Sequence, residues 1–400
     1  MTNCKTFFGL DEEFFREKSC INTASEISGQ TKLWKELGRI LQARKQDISD
    51  FMKSLGNLHG IRIILTGAGS SAFIGEALAL FAARSSGIKC EAVHTTDIVS
   101  APETVLFPDI PTLLISFARS GNSPESSGAV QYARKAVKNL FEATIVCDGS
   151  STLANTTRED KKNLVLVMPE GSNDKGFAMT SSVTCMLLAG FALLNYGKID
   201  EITKDILLLS QNIEKSSPGL SEMAQKYAKK IFDRAVYLAS GAFKGLAHEG
   251  SLKMMELSNG EVNASFDSAT GFRHGPKTVI KDNTLNLHFI SDDPFTAKYD
   301  MDLLKEVFRE KNKNMVAAIC PGKGNANGVE ADDVITLASG SSPESTYGFA
   351  SDLCTGINGL VFFQMLAMFK SLTLGITTDN PSPGGQVNRV VKGVTVYPYG

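Results

Sequence analysis

The stretch IRIILTGAGSSAFIGEAL (Ile61–Leu78) sets an apolar run, a glycine-containing turn and a helical pattern in direct succession. The run IRIILTG has the length and composition of a buried strand, and the glycines after it permit a tight turn into a helix. A strand that passes directly into a helix is the first part of a βαβ unit. The stretch therefore predicts a parallel sheet that is covered by helices.

Seven further apolar runs of strand length follow along the chain, with helical patterns between them. They are Thr112–Ala118, Ala143–Asp148, Asn163–Pro169, Ala235–Gly241, Leu285–Ser291, Val316–Cys320 and Asp333–Ser339. Corresponding points in the two halves lie about 172 residues apart: Cys147 corresponds to Cys320, and the tripeptide GFA at Gly176 recurs at Gly348. The sequence thus predicts a duplicated α/β domain with one parallel sheet in each copy.

Length and composition narrow the function classes. A chain of 400 residues exceeds what one hydrophobic core usually supports, which favours two domains. With 42% hydrophobic residues, 21% charged residues and a net charge of −2, nothing predicts a nucleic-acid or membrane partner. Early charges, in MTNCKTFFGLDEEFFREK, argue against a signal peptide, and seven cysteines without CxxC pairs are typical of reduced thiols. These features predict a cytoplasmic protein.

The domain organisation follows from the segments around the two copies. An N-terminal helical segment, two α/β domains and a C-terminal tail are expected at residues 1–55, 56–215, 216–379 and 380–400. Lys198–Lys230 is predicted to be helical with a break at SSPG (Ser216–Gly219). The uncharged run Gly176–Gly197 is long enough to span a bilayer, but its place after a strand favours a buried helix. The tail could be a strand or an extended arm.

Two loops of the first copy have the composition of a phosphate site. TGAGSSAFIGEAL offers Gly69, Ser70 and Ser71 at a predicted helix start, where free backbone N–H groups can bind an anion. FARSGNSPES follows the second strand and adds a set of small polar residues and one arginine: Arg119, Ser120, Gly121, Asn122 and Ser123. Each loop alone is compatible with a plain turn. Together they converge on the crevice where open α/β sheets bind ligands.

The ligand of these loops is expected to be a small monophosphate. Ala72 stands where GxGxxG would require its third glycine, and no GxxxxGK[ST] is present, so neither a dinucleotide nor a nucleoside triphosphate is favoured. The second copy has ISDDPFTAKYD in place of ARSGNSPES, and the carboxylates of Asp292 and Asp293 would repel a phosphate. Only the first copy should therefore bind it.

The second copy carries a different set of polar residues. In AHEGSLKMMEL (Ala247–Leu257), Glu249, Lys253 and Glu256 fall on a stripe roughly 60° wide within an otherwise apolar helix. The stripe is either an internal ion pair or part of a functional site, and the spacing alone leaves both open. His274 follows in the turn-forming stretch TGFRHGPKTVI. No metal-ligand spacing and no GxSxG elbow is present, so proton transfer beside a carbonyl is the chemistry that these residues suit.

From Gly67 to the tail the chain resembles the SIS (sugar isomerase) superfamily with two tandem domains, and within it the AgaS family of galactosamine-6-phosphate deaminase/isomerases, also called tagatose-6-phosphate ketose/aldose isomerases. The matching stretches occur in the order of the family: GAGSSAFIGEAL, FARSGNSPESSGAV, GSNDKGFAMTSS, HEGSLKMMELSNGEV, TGFRHGPKTVI and NPSPGGQVNRVVKGVTV. The resemblance implies two flavodoxin-like three-layer α/β sandwiches behind an N-terminal helix. It implies no cofactor and no metal.

A related enzyme, the isomerase half of glucosamine-6-phosphate synthase, implies a role for each polar residue. Glu256 would move the proton between C1 and C2 with Glu249 and Lys253 in support, and His274 would open the sugar ring from a neighbouring subunit. Lys392 corresponds to a C-terminal lysine that can form a Schiff base with the open sugar. The phosphate would contact the serines of the two loops, with Ser172 and Asn173 nearby. Because Ala118 replaces a serine of many SIS loops, Arg119 is expected to contribute.

The expected function is conversion of galactosamine 6-phosphate to tagatose 6-phosphate and ammonia by a homodimer or larger homo-oligomer with a shared active site. Two other functions use the same residues. One is aldose/ketose isomerisation of a phosphosugar without nitrogen, and the other is sugar-phosphate sensing without turnover. The preference for galacto over gluco sugars rests on the resemblance alone.

Overall fold

The structure, a computed structural model, describes residues 6–322, 328–337, 348–391 and 393–399, and the side chains of all of these except 348–352. The chain divides into two compact units, and each is assembled from separate segments. The first-sheet unit comprises Lys32–Asp174, Ser181–Leu207 and Gly385–Gly400, and the second-sheet unit comprises Met1–Thr31, Lys175–Thr180 and Leu208–Gly384. The division of the chain into four consecutive segments stays a prediction.

The described residues contain twelve strands. They are β1 (Thr6–Phe7), β2 (Leu10–Asp11), β3 (Arg62–Gly67), β4 (Cys90–His94), β5 (Thr112–Ala118), β6 (Leu140–Val146), β7 (Leu164–Val167), β8 (Arg234–Ala239), β9 (Asn263–Asp267), β10 (Thr284–Phe289), β11 (Met315–Pro321) and β12 (Asp333–Leu337). The first two form a short antiparallel pair. The other ten form two parallel sheets of five strands each.

Thirteen α-helices occur in the same described ranges. They are α1 (Glu12–Glu17), α2 (Ile21–Ala43), α3 (Lys45–Ser54), α4 (Ser70–Ser86), α5 (Thr95–Ser100), α6 (Pro124–Ala136), α7 (Thr152–Arg158), α8 (Ser181–Leu194), α9 (Ile199–Ala228), α10 (Phe243–Leu257), α11 (Ala269–Phe272), α12 (Pro294–Arg309) and α13 (Gly348–Thr373). Short 3₁₀ helices lie at Leu58–Gly60, Pro102–Thr104, Tyr196–Lys198 and Pro276–Val279.

The two parallel sheets have the same strand order. The first sheet is β4-β3-β5-β6-β7 and the second is β9-β8-β10-β11-β12, so each reads 2-1-3-4-5 in the order of its own strands. This is the flavodoxin-like order, in which the chain reverses direction across the sheet between strands 1 and 3. We call the gap beyond the carboxyl ends of these two strands the switch-point crevice. The predicted fold class, a duplicated α/β domain behind an N-terminal helix, is confirmed.

Buried helices account for the long apolar stretches. All residues of α8 are buried, as the sequence predicted for Gly176–Gly197. Within the described residues, the segment Leu353–Thr373 of α13 is long and apolar enough to cross a membrane, but its apolar part is buried inside the protein. A second such span would have to combine α8 with the following helix across a bend of 98°. Both stretches are therefore core helices of α/β units.

Three local predictions need correction or completion. The predicted break at SSPG is wrong, because α9 continues through Pro218. Buried residues on both sides of it, including Ile213 and Leu220, hold the helix together despite the hydrogen bond that proline removes. The predicted N-terminal helix is divided into α2 and α3. Residues 385–391 and 393–399, which we call the C-terminal arm, contain neither helix nor strand.

Candidate active site

The charged stripe of α10 forms a compact ionic cluster in the second-sheet unit. The Nζ of Lys253 lies 3.3 Å from Glu249 Oε1 and donates a hydrogen bond to Glu256 Oε2. Lys253 is fully buried and Glu249 is 1% exposed, whereas the side chain of Glu256 is 25% exposed. The structure therefore brings the three predicted residues together and leaves one carboxylate accessible.

Close helix packing explains why the cluster is buried. A Cβ on Gly250 would lie 2.6 Å from the ring of Phe363 in α13, and a Cβ on Gly356 would lie 2.5 Å from Leu246. Since only glycine permits such contacts, α10 and α13 approach each other more closely than larger residues would allow. The apolar residues on either side of the stripe, such as Met254 and Leu257, are fully buried. Water is thereby excluded from Lys253.

The electrostatics of the cluster keep Lys253 charged. Burial alone would lower the pKa of its ammonium, but the carboxylates of Glu249 and Glu256 outweigh that effect and raise the pKa above its ordinary value. A charged lysine between two carboxylates fixes their positions by attraction and hydrogen bonding. The accessible Glu256 is thus a carboxylate of defined orientation, which is what a proton-transferring group requires.

His274 lies in an exposed turn of the same unit. Its backbone N–H donates to the carbonyl of Gly271 at 2.9 Å, and Gly275 follows with φ of +120°. The flanking Arg273 donates from Nε to Glu306 at 2.7 Å, and Lys277 also binds Glu306. Two basic residues thus hold the turn on α12 while the imidazole between them faces outward. Within the described ranges its ring has no hydrogen-bond partner.

The first predicted loop forms the entrance to α4 in the first-sheet unit. Gly69 precedes the helix with φ of 55° and ψ of −131°, a conformation that side chains strongly disfavour. A Cβ on Gly67 would lie 2.5 Å from the backbone of Ser71, so the strand and the helix meet as closely as glycine permits. Ser70 and Ser71 are each 4% exposed at the first turn. The N-cap residue, Gly69, has no side chain that could cap this helix start.

The second predicted loop lies beyond β5, the neighbour of β3 in the sheet. Gly121 has φ of +61° and lies against Ser151, and the exposed Asn122 accepts a hydrogen bond from the Thr152 N–H at 3.0 Å. Ser120 and Ser123 are partly exposed. Ser123 precedes α6, and its hydroxyl pairs with that of Ser126 at 2.7 Å. Ser123 does not cap α6 with its side chain, so two helix starts without a side-chain cap from their N-cap residues lie at one switch-point crevice.

The third predicted stretch, Ser172 and Asn173, lies in the loop before α8. Ser172 is fully buried beside Cys147, and burial raises the pKa of that thiol to about 12, although the Ser172 hydroxyl lowers it slightly. The next residue, Asp174, accepts hydrogen bonds from the N–H groups of Ser181 and Ser182 at 3.1 and 3.0 Å and so caps α8.

Sequence reasoning missed Arg389 as a functional candidate. Its Nη2 donates to Asn173 Oδ1 at 3.1 Å, and its Nε donates to the carbonyl of Asp174 at 2.9 Å. The carbonyl of Arg389 in turn accepts from Nη2 of the buried Arg119 at 2.5 Å. The only sequence signal was the position of Arg389 in the stretch NPSPGGQVNRVVKGVTV. Lys392, from the same stretch, lies outside the described residues.

In the second-sheet unit, three carboxylates lie in the segment that follows the third strand of the sheet. Asp293 caps α12 by accepting from the Thr296 N–H at 2.8 Å, and Asp292 accepts from the Thr355 hydroxyl at 2.9 Å. Asp300, 3% exposed, accepts from the Ser291 N–H at 3.0 Å, and its burial raises its pKa to about 6. In the described part of the chain, no group of three or more His, Cys, Asp or Glu side chains could hold a metal ion.

Comparison with known proteins identifies the class to which this arrangement belongs. Residues 59–196 match the SIS domain family, and the repeated sheet defines a protein with two tandem SIS domains. The D-galactosamine-6-phosphate deaminase AgaS of Escherichia coli is 38% identical over 378 residues, which cover 94% of this chain and 96% of the relative. Its counterpart from Shewanella sp. (strain ANA-3) is 36% identical over 393 residues, with 98% and 95% covered. The chain therefore belongs to the AgaS family.

A solved structure agrees with this assignment. The crystal structure of tagatose-6-phosphate ketose/aldose isomerase from Escherichia coli superposes with a TM-score of 0.85 at 34% identity. The match covers 94% of this chain and 96% of that structure. The family resemblance predicted from the sequence is thus confirmed.

Proposed function

We propose that this chain is an amino-sugar phosphate deaminase, which converts galactosamine 6-phosphate and water to tagatose 6-phosphate and ammonia. The observation that carries the proposal is the buried Glu249–Lys253–Glu256 cluster in a chain that matches D-galactosamine-6-phosphate deaminases over nearly its whole length. The reaction must move a proton between adjacent carbons. A carboxylate that is accessible on one side and held by a buried cation on the other is suited to that step.

The phosphate group is assigned to the first-sheet unit. Its switch-point crevice offers two helix starts, at Ser70 and Pro124, whose N-cap residues supply no side-chain cap, together with the hydroxyls of Ser120 and Ser123. Backbone N–H groups at helix starts attract anions through both hydrogen bonds and the helix dipole. A phosphosugar is therefore the substrate class. The galacto configuration is taken from the deaminases to which the chain is similar.

The proposed reaction has three steps in which atoms balance. His274 assists opening of the sugar ring by moving a proton at oxygen. Glu256 then removes the proton from C2 and returns it to C1, while a second proton passes from the amine nitrogen to the C1 oxygen, which converts the aldehyde and amine into a C2 imine with a C1 hydroxyl. Water adds to C2, and ammonia leaves to give the ketose. A covalent role for Lys392 stays a prediction.

A second candidate is aldose/ketose isomerisation of a phosphosugar without nitrogen. The solved Escherichia coli structure described as a tagatose-6-phosphate ketose/aldose isomerase favours it. The same Glu256 would transfer the proton, but no water would be consumed and no ammonia released.

The deciding experiment measures ammonia release from galactosamine 6-phosphate and glucosamine 6-phosphate by wild type, Glu256→Gln and Glu261→Gln. Glu261 is exposed just beyond α10 and provides the matched control. We expect release from the galacto sugar by wild type and the control, and a loss of about 10³-fold in kcat for Glu256→Gln. Ketose formation from an aldose phosphate without ammonia would establish the second candidate instead. Unchanged turnover in Glu256→Gln would refute the role of that residue.

The exposed position of His274 supports a further part of the proposal, a homo-oligomer in which this residue serves the neighbouring subunit. Glu256→Gln and His274→Gln would each be inactive alone. When the two variants are coexpressed as mixed dimers, about a quarter of wild-type activity should return, because half of the dimers contain one intact site. No recovery in confirmed mixed dimers would show that His274 serves its own subunit. Cytoplasmic localisation stays a prediction.

A further inference from the structure

Arg389 connects three segments of the first-sheet unit that are distant in sequence. Its guanidinium binds the amide oxygen of Asn173 at 3.1 Å and the backbone carbonyl of Asp174 at 2.9 Å. Its own carbonyl accepts a hydrogen bond from the Arg119 guanidinium at 2.5 Å. One residue of the C-terminal arm thus contacts two of the stretches that are proposed to surround the phosphate.

The contacts of Arg389 require the geometry of arginine. A guanidinium is a planar fork, and here Nε and Nη2 both point toward the segment 173–174. A lysine has a single terminal nitrogen and cannot reproduce the pair of directions. The arrangement therefore depends on the shape of the donor as well as on its charge.

The segment that Arg389 binds is itself part of a rigid arrangement. Asp174 caps α8 through Ser181 and Ser182, so its backbone is fixed on one side by the helix. Arg389 fixes the same backbone from the other side through the carbonyl. Arg119 is only 8% exposed. Its hydrogen bond to the Arg389 carbonyl limits the positions that its long side chain can give to the guanidinium charge.

We infer that Arg389 is a positioning residue for the phosphate end of the sugar phosphate, acting through Asn173 and Arg119 rather than by touching the ligand. This inference rests on the proposed function, because it assumes that the first-sheet crevice binds the phosphate. Loss of the Arg389 side chain would remove the two hydrogen bonds to the 173–174 segment and would loosen the part of the arm whose carbonyl accepts from Arg119. Phosphate binding would weaken, while the chemistry at C1 and C2 would keep its rate once substrate is bound.

The test compares Arg389→Gln and Arg389→Lys with Lys135→Gln in the full-length protein. Lys135 provides a matched control, because it also carries one positive charge and also binds the C-terminal arm, through the Tyr399 carbonyl at 2.6 Å. Inorganic phosphate binding is measured by calorimetry, and kcat and KM are measured for galactosamine 6-phosphate. Thermal unfolding establishes that each variant is folded.

We expect Arg389→Gln to raise both KM and the phosphate dissociation constant about tenfold or more, with kcat within about threefold of wild type. Arg389→Lys should retain most of this defect, and Lys135→Gln should stay within about twofold of wild type. Full recovery by lysine would overturn the inference, since charge alone would then suffice. An equal defect in Lys135→Gln would overturn it too, because general loosening of the arm would explain the result.

The two proposals fail in distinguishable ways. If wild type releases no ammonia, the deaminase assignment fails, but phosphate binding by the Arg389 variants still decides the positioning role. If wild type releases ammonia and all variants bind phosphate equally, the positioning role fails and the deaminase assignment stands.

Discussion

In the first-sheet unit α6 begins at Pro124 after Ser123, which does not cap it, whereas in the second-sheet unit α12 begins at Pro294 after Asp293, which does. Both helices follow the third strand of a sheet with the same strand order. The N-cap residue of α6 thus supplies no side-chain cap, whereas that of α12 supplies a carboxylate. The two copies share the backbone arrangement and differ in the residue at the helix start.

The helices that follow the first strand of each sheet, α4 and α10, also differ, and here the second copy carries the special polar residues. Lys253 lies 11 residues after Ala242, the N-cap of α10, and Leu80 lies 11 residues after Gly69, the N-cap of α4. Leu80 is 48% exposed, whereas Lys253 is fully buried within an ionic cluster. The equivalent helix position therefore carries an exposed apolar side chain in the first copy and a buried charge in the second.

The largest expected effect concerns the cluster of α10. Lys253→Met should lower the free energy of unfolding by about 3–5 kcal/mol, because the buried Glu249 carboxylate loses its counter-charge. Leu80→Met on α4 provides the matched control and should change it by less than about 0.5 kcal/mol. Urea unfolding measures both. A double variant with Glu249→Gln should recover most of the loss, and no recovery would show that lysine packing rather than charge is responsible.

A smaller effect tests the phosphate assignment by moving a charge from one copy to the other. Ser120→Asp places a carboxylate in the first crevice, as the second crevice already has. It should lower the affinity for inorganic phosphate about 100-fold, because the carboxylate repels the anion at short range. Gln131→Glu adds the same charge further along α6, where solvent screens it, and should change affinity by about twofold at most. Calorimetric titration measures both. Unaltered phosphate binding in Ser120→Asp would place the anion elsewhere.

The next effect concerns Asp300 and depends on pH. Burial raises its pKa to about 6, so the folded state binds a proton more tightly than the unfolded state, whose carboxyl has its ordinary value of 3.8. Stability from this group is fully present below about pH 4 and is lost as the pH rises through 6, by up to about 3 kcal/mol. Asp300→Asn should therefore stabilise the protein by about 1–2 kcal/mol at pH 8 and by almost nothing at pH 4. Urea midpoints at both pH values measure this, and an equal gain at both would exclude titration as the cause.

The smallest effect compares two glycines with positive φ, one in each copy. Gly121 and Gly241 have φ of 61° and 60°, but a Cβ on Gly121 would lie 2.4 Å from Ser151 Oγ, whereas nothing lies within 4 Å of one on Gly241. Both alanine variants should lose about 1 kcal/mol from backbone strain, and Gly121→Ala should lose about 1 kcal/mol more. Thermal unfolding measures the difference. Equal losses would show that the loop at Gly121 yields to the added methyl group.

Much of the fold could be predicted from the sequence because apolar runs mark buried parallel strands. The strands that the sequence did not reveal, β4 (CEAVH) and β9 (NASFD), occupy the same edge position in the two sheets. These two strands are partly exposed along their length and carry polar residues, so no apolar run marks them. The helix break predicted at Pro218 of α9 does not occur, because burial of the residues on both sides of the proline outweighs its local helix-breaking preference.

The candidate site was predictable only where it is local in sequence. The stripe of α10 and the two glycine-serine loops are visible because their residues are three to seven positions apart. Arg389 and its partner Asn173 are separated by 216 residues, and Asp300 accepts from the Ser291 N–H from within α12. Such pairs are set by the fold, and no periodicity within one segment records them.

The interleaving of the two units has a consequence for synthesis on the ribosome. Residues 385–399 belong to the first-sheet unit, yet they are translated after the whole second sheet, and the first 31 residues belong to the unit that is completed later. Neither unit can therefore acquire all of its native contacts while the middle of the chain is still being made. Nascent chains that stop before residue 385 would have a first-sheet unit without its C-terminal arm, and such incompletely folded chains are exposed to chaperones and proteases.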